Sequence, residues 1–236
     1  MAVRLNCDVG EGLNNEVLLM PYIHSCSIAC GGHAGDTDTM KRAVELAIQY
    51  ETDIGAHPSY PDKTNFGRES MNMDDEALVF SVREQVEALE KITRQYDILL
   101  HHIKAHGALY NDMAGNREKA EVFLSAVENY KGRVRLYVPY GSEIAKSAVS
   151  RGFNIRYEAF ADRNYNDDLS LVSRKSANAI ILRPEAIRQH ILYMVQEQKV
   201  RTVTGSEKTI RADTFCLHGD HPHAAEVLRY LSEHTI

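Results

Sequence analysis

Asp8, His57, Lys104, His106 and His218 are the side chains whose types and spacing best suit them to chemistry. Within His101-His102-Ile103-Lys104-Ala105-His106, the two-residue period of a β-strand puts His102, Lys104 and His106 on one face and Ile103 and Ala105 on the other. The same period groups Asn6 with Asp8, and Cys216 with His218. If these faces point into a closed barrel, an unpaired carboxylate or ammonium there costs on the order of several kcal/mol, and a purely structural core would use Val and Leu instead. Any one of these residues, His102 for example, reads as a satisfied buried polar group. The five together, each lying where a strand meets its loop, read as a catalytic set that supplies general base, general acid and electrostatic stabiliser.

The neighbouring loops add to this set. Gly55-Ala56-His57-Pro58-Ser59-Tyr60-Pro61-Asp62 holds an imidazole in a turn stiffened by two prolines. Arg68, after Asn65-Phe66-Gly67, offers a planar fork suited to a carboxylate or phosphate. Cys30-Gly31-Gly32-His33-Ala34-Gly35-Asp36 is a glycine-rich turn into a helix that starts at Thr37, and could hold an anion at that helix N-terminus. Glu158-Ala159-Phe160-Ala161-Asp162-Arg163 offers either an Asp162–Arg163 ion pair that shapes the loop or a substrate clamp. Aspartate and histidines converging at one mouth also suit a divalent metal with an open position, and Asp8, His57 and His106 are its first candidate ligands. Neither G-x-x-x-x-G-K-[ST] nor G-x-G-x-x-G occurs, so the chain offers no recognisable nucleotide site of its own.

The elements that must position these residues alternate between short β-prone runs and longer stretches of helical period, the pattern of repeated βα units around parallel strands. Strands are expected over 3–7, 27–30, 53–56, 98–104, 135–139, 154–159 and 214–217, and helices over 37–50, 74–96, 116–130, 142–151, 184–198 and 221–234. A small hairpin is expected within 202–212. The length of 236 residues fits one β/α-barrel domain over 1–236.

Composition narrows the function classes. With 44% hydrophobic and 25% charged residues the chain can bury a sizeable core. A formal charge of -6 without a Lys/Arg-rich block argues against nucleic acid and anionic membranes as partners, which leaves a small-molecule substrate. The N-terminus reaches Arg4 without an apolar signal region and no apolar run can span a bilayer, so a cytoplasmic location is expected. Cys7, Cys26, Cys30 and Cys216 are too few and too scattered for a disulfide framework and read as small buried thiols.

The motifs Leu5-Asn6-Cys7-Asp8-Val9-Gly10-Glu11, the 28–36 turn, Gly55-Ala56-His57-Pro58, Phe66-Gly67-Arg68, His106-Gly107-Ala108-Leu109-Tyr110-Asn111, Phe160-Ala161-Asp162-Arg163 and His218-Gly219-Asp220 resemble, in order and nearly end to end, the LamB/YcsF family. Three departures stand out: a shortened 11–21 segment, Gly32 where the family commonly has phenylalanine, and Ala105 where it has proline. The resemblance implies a seven-stranded variant of the TIM barrel, of the type found in glycoside hydrolases and deacetylases. It also implies the activity of one subunit of an ATP-dependent 5-oxoprolinase, a hydrolase in which that subunit works with two others to open 5-oxo-L-proline to L-glutamate. ATP would be the cofactor, at a site shared with or supplied by the partners. Asp8, His57, Lys104, His106 and His218 would be catalytic, with Asn6, Glu11, His33, Arg68, Tyr110, Glu158, Asp162, Arg163 and Asp220 around the substrate. Two other readings remain open: a metal-dependent deacetylase or glycosidase-like hydrolase, and a non-catalytic substrate-binding subunit. The number of copies in an assembly, a homo-oligomer included, is also open.

Overall fold

The computed structural model describes residues 3–234; Met1, Ala2, Thr235 and Ile236, at the ends of the expected domain, lie outside the described residues. Six parallel strands follow one another around the molecule: β1 (Leu5–Val9), β2 (Ser25–Ala29), β3 (Asp53–His57), β4 (His102–Ile103), β5 (Arg135–Pro139) and β6 (Asn154–Phe160). An antiparallel hairpin, β7 (Lys199–Arg201) and β8 (Glu207–Thr209), then stands apart, a few residues earlier than the sequence suggests. Finally β9 (Thr214–Cys216) enters between β6 and β1 and closes a seven-stranded parallel barrel.

Alternation along these strands divides the polar residues from the apolar ones. Inside the barrel, Ser25 meets Tyr137 at 3.2 Å, Ser27 meets His102 at 3.1 Å and Asn6 donates to Thr214 at 2.9 Å. His102 is therefore one of the satisfied interior groups, stacked on Tyr137 with ring centroids 4.0 Å apart. The intervening residues, Cys7, Val9, Cys26, Ile28 and Ile103, join the core. All four cysteines are free and buried.

The helices that cover the barrel are α1 (Glu16–Leu19), α2 (Thr37–Gln49), α3 (Asp75–Arg94), α4 (Gly107–Gly115), α5 (Arg117–Ala126), α6 (Glu143–Ser150), α7 (Pro184–Glu197) and α8 (Ala224–Glu233). On α3, Leu78, Val82, Val86 and Leu89 recur at helical spacing and are fully buried. Asn116 caps α5 by accepting from the Lys119 amide, Ser142 caps α6 by accepting from the Ala145 amide, and Gly152 follows the α6 C-cap at φ +77°.

Four expectations are corrected. Only His102 and Ile103 of the 98–104 run join the ladder. The helix expected over 116–130 ends at Ala126 and continues as a 3-10 turn at Glu128–Tyr130. The last helix begins at Ala224, because 221–223 form a turn in which Ala224 N donates to His221 O. The N-terminus of α2 already holds an anion, since the Asp36 carboxylate accepts from the Thr39 amide at 2.8 Å. Helix α4 is an element the sequence reading lacks.

Candidate active site

The carboxyl ends of the barrel strands open onto a cavity of about 550 Å³ lined by Asp8, Glu11, His57, Arg68, Lys104, His106, Tyr110, Arg163, His218 and Asp220, all singled out from sequence. All but Tyr110, which lies on α4, come from a strand end or the loop that follows it, as in other β/α barrels.

Lys104 is the centre of the floor. Its ammonium lies 2.9 Å from Asp8 Oδ1, 3.0 Å from Glu158 Oε1, 3.1 Å from Cys216 Sγ and 3.5 Å from Asn6 Oδ1. Burial favours a neutral amine, but the charges of Asp8 and Glu158 and the hydrogen bond to Asp8 outweigh it and push the lysine pKa up. Burial likewise works against the Asp8 carboxylate, and the neighbouring His57 and Lys104 outweigh it and hold Asp8 well below the usual range. Tyr110, on α4, lines the same cavity; burial and then the charge of Glu158 push its phenol up. Asn6 and Glu158 thus sit beneath the cavity and support the lysine.

One wall is built from three imidazoles and a carboxylate. His57 Nδ1 donates to Lys104 O at 2.8 Å, and His106 Nε2 donates to Phe66 O at 3.0 Å. Their other nitrogens, His57 Nε2 and His106 Nδ1, face each other at 3.0 Å. Glu11 Oε1 lies 3.3 Å from His106 Nδ1, 3.9 Å from His57 Nε2 and 3.0 Å from His33 Nε2. His33 is buried behind this wall, stacked on His106 at 3.6 Å. Burial lowers the His33 pKa to about 4 and also lowers that of His106. Among the described residues, Glu11, His33, His57 and His106 bring metal-capable atoms within 4.8 Å of one another, and Asp8, Cys216 and His218 form a second such group.

Beside Asp8, His218 stacks on Phe160 and places Nδ1 2.9 Å from Asp162 Oδ1, while its amide donates to Asp162 Oδ2 at 3.2 Å. A carboxylate on Nδ1 fixes the tautomer and leaves Nε2 as the ring's acid or base atom. Among the described residues no Asp162–Arg163 bridge forms. Arg163 instead donates to the carbonyls of Ala179 and Val172 within its own loop. At the rim, Asp220 accepts from Arg68 at 2.6 Å and from Arg174 at 2.9 Å. Arg174, Lys175, Phe160 and Leu171 also line the cavity and were not read from sequence as site residues. Arg174 sits in a 161–183 loop without regular structure, where no spacing singles it out.

Two of the departures have a local explanation. A Cβ on Gly32 would lie 2.3 Å from Gln85 Oε1, because the Gln85 carboxamide occupies that space and pairs with both the amide and the carbonyl of Ser59. An aromatic side chain at 32 is incompatible with this packing. The hydrogen bonds from this strand to its neighbour run from the amides of Lys104 and His106, on either side of Ala105, so a proline at 105 would sacrifice neither. The shortened segment forms α1, and Asn15 ties it to Gly219 O at 2.9 Å.

A model of the LamB/YcsF family matches residues 3–235. A relative from Tolumonas auensis, named as a subunit of 5-oxoprolinase, is 38% identical over 94% of this chain and 90% of that protein. The crystal structure of a lactam utilization protein from Thermus thermophilus superposes with TM-score 0.91 at 34% identity, covering 99% of this chain and 95% of that one. A protein from Enterococcus faecalis V583 named for cellobiose-phosphate cleavage superposes with TM-score 0.57 at 12% identity, over 98% of this chain and 94% of that one, a likeness of fold alone.

Proposed function

The chain belongs to the LamB/YcsF family, and from that premise we propose that it is the lactam-opening subunit of an ATP-dependent 5-oxoprolinase. The observation that carries this reading is the near full-length match to a relative named as a 5-oxoprolinase subunit. That relative's name supports action within a multi-subunit complex, and we assign two partner subunits, one β/α-barrel domain to this chain and a cytoplasmic location to the assembly. Among the described residues no helix is long and apolar enough to cross a membrane.

The chemistry assigned is the opening of 5-oxo-L-proline to L-glutamate with ATP and water. A five-membered lactam is a poor electrophile, and phosphoryl transfer from ATP to its amide oxygen, releasing ADP, activates the ring carbon toward water; C–N cleavage then leaves an acyl phosphate, which a second water hydrolyses to glutamate and phosphate. Lys104, held as an ammonium at the cavity floor, is suited to stabilise negative charge on that oxygen or on the phosphoryl group. His218, oriented by Asp162, is suited to move a proton to the ring nitrogen as the C–N bond breaks. Asp8, within 4.8 Å of His218 and 3.4 Å from His57 Nε2, is suited together with the His57–His106 pair to take the proton of the attacking water. Arg68 and Arg174 offer the substrate carboxylate a bidentate partner at the rim.

ATP is the cofactor of this reading, and the chain lacks a recognisable phosphate-cradling loop. Phosphoryl activation and ring opening are therefore divided between polypeptides. ADP and glutamate release, measured on the pure chain and on the chain mixed with its partner subunits, tests the proposal. The expected result is turnover only in the mixture. Coupled turnover by the chain alone places the ATP site here, and a mixture that opens the lactam equally well without this chain removes it from the reaction.

A further inference from the structure

Charge and lone pairs do not balance at the histidine wall. Three carboxylates, Asp8, Glu11 and Glu158, have side chains no more than 7% exposed, and Lys104 is the one ammonium among them. An excess of buried negative charge on this scale is costly unless a cation joins it. The hydrogen bonds say where. Because His57 Nδ1 and His106 Nε2 each donate to a backbone carbonyl, the neutral rings present lone pairs at His57 Nε2 and His106 Nδ1, which face each other at 3.0 Å with Glu11 Oε1 3.3 Å from the latter. Three electron-rich atoms thus converge and, among the described residues, no donor lies between them, His33 reaching Glu11 from behind.

We propose that His57 Nε2, His106 Nδ1 and Glu11 Oε1 bind one divalent first-row transition-metal cation on the wall of the cavity, with His33 as a positioning residue for Glu11. The three ligand residues line the cavity and His33 does not, so the cation has protein on one side and an open face toward the substrate space. Ligand atoms in a tetrahedral zinc-like site are separated by about 3.3 Å, given bonds of about 2.0–2.1 Å, and the observed separations of 3.0, 3.3 and 3.9 Å bracket that value. The His57 and His106 rings are perpendicular, at 86°, so one point can lie in both planes. His33 and His106 are parallel within 4° at 3.6 Å, so no point lies in both of theirs. His33 therefore donates Nε2–H to Glu11. Every ligand then has an outer partner: Lys104 O for His57, Phe66 O for His106 and His33 for Glu11, the support that metal-binding side chains normally have. Asp8, by contrast, has both oxygens within 3.2 Å of the Lys104 ammonium. The Asp8 and Cys216 atoms of the second group are already satisfied by that ammonium.

Cobalt(II) titrated into untagged, chelator-stripped chain tests the site, with visible ligand-field bands and equilibrium dialysis as readouts. One equivalent is expected to bind. Glu11→Gln and His106→Ala should each weaken binding by at least about a hundredfold, and His33→Ala by about 10–100-fold. The exposed His223→Ala should leave it unchanged. If His106→Ala does not fold, Glu11→Gln, which keeps the size of the side chain, decides alone. Absence of one-equivalent binding, the gap being filled by a shared proton only, overturns the proposal. So does binding that survives Glu11→Gln or is lost in His223→Ala. The readout needs neither substrate nor partner subunits, so its failure leaves the lactam reading standing, and failure of the lactam reading leaves the site standing.

Discussion

At the scale of single residues, removing the Lys104 ammonium would leave Asp8 and Glu158 as like charges in the barrel interior. Breaking a buried pair in this way costs ~3–5 kcal/mol. Lys104→Met is therefore expected to melt at a lower temperature yet remain folded, and to lower turnover of the assembled enzyme by at least about a hundredfold, since one electrostatic contact of this kind contributes ~3 kcal/mol. Circular dichroism and steady-state kinetics check both parts, and near-normal turnover in the folded variant would remove Lys104 from the chemistry. Asp162 gives a pH signature. Burial raises its pKa, but the charge and hydrogen bonds of His218 outweigh that and hold it below the ordinary value of about 3.9. A carboxyl depressed in the folded state contributes stability that is present above about pH 4 and lost as pH falls through its folded value. Asp162→Asn should thus lose stability at neutral pH and show a flatter decline below about pH 4. Urea unfolding across that range measures it, and parallel curves for the two proteins would mean that the pair contributes nothing.

At the scale of elements, the glycines around α4 set the position of His106. Gly107 starts the helix at φ +57°, and a Cβ there would lie 2.4 Å from Gly67 O, which accepts from the Ala108 amide at 2.9 Å. Gly107→Ala should therefore destabilise by about 1–3 kcal/mol and displace His106, lowering activity as well. Gly115, at the other end of α4, has nothing within 4 Å of a Cβ, so Gly115→Ala should be neutral or stabilise by up to about 1 kcal/mol. Thermal melts of the two variants separate these outcomes. This helix also shows the limit of what was legible. The two-residue period located the seven barrel strands to within about two residues, the overlong 98–104 run excepted, because a half-polar strand leaves its signal in the sequence. Helix α4 buries Ala108, Leu109, Tyr110 and Met113, which spread around its circumference and erase the 3.6-residue period, and glycines at both ends disguise it as a loop. The pairings that define the site were less legible still. Glu11 with His33, and Asp162 with His218 rather than with its neighbour Arg163, are contacts between separate loops that only closure of the barrel brings together.

At the scale of the whole molecule, three loops that follow different strands meet over the cavity through one carboxylate. Arg68 comes from the segment after β3, Arg174 from the long segment after β6, and Asp220 from the segment after β9. The guanidinium groups are 42% and 28% exposed and Asp220 is 23% exposed, so each pair is worth only ~0–1 kcal/mol. Their effect falls on the order of the 161–183 segment, which holds no helix and is tied by backbone pairs such as the bridge bond Val172 N to Asn164 O and the turn bond Ser176 N to Ser173 O. Asp220→Asn keeps the shape of the side chain and removes the charge that both arginines share. The barrel should melt within a few degrees of the wild type, while hydrogen exchange at the amides of Val172 and Ser176 should accelerate. Because exposed charges are screened by salt, raising the ionic strength should accelerate the same amides in the wild type and have little further effect on the variant. Exchange at these amides that is identical in the two proteins at low salt would show that the rim is ordered by its backbone turns alone and that the shared carboxylate does not hold the loops together.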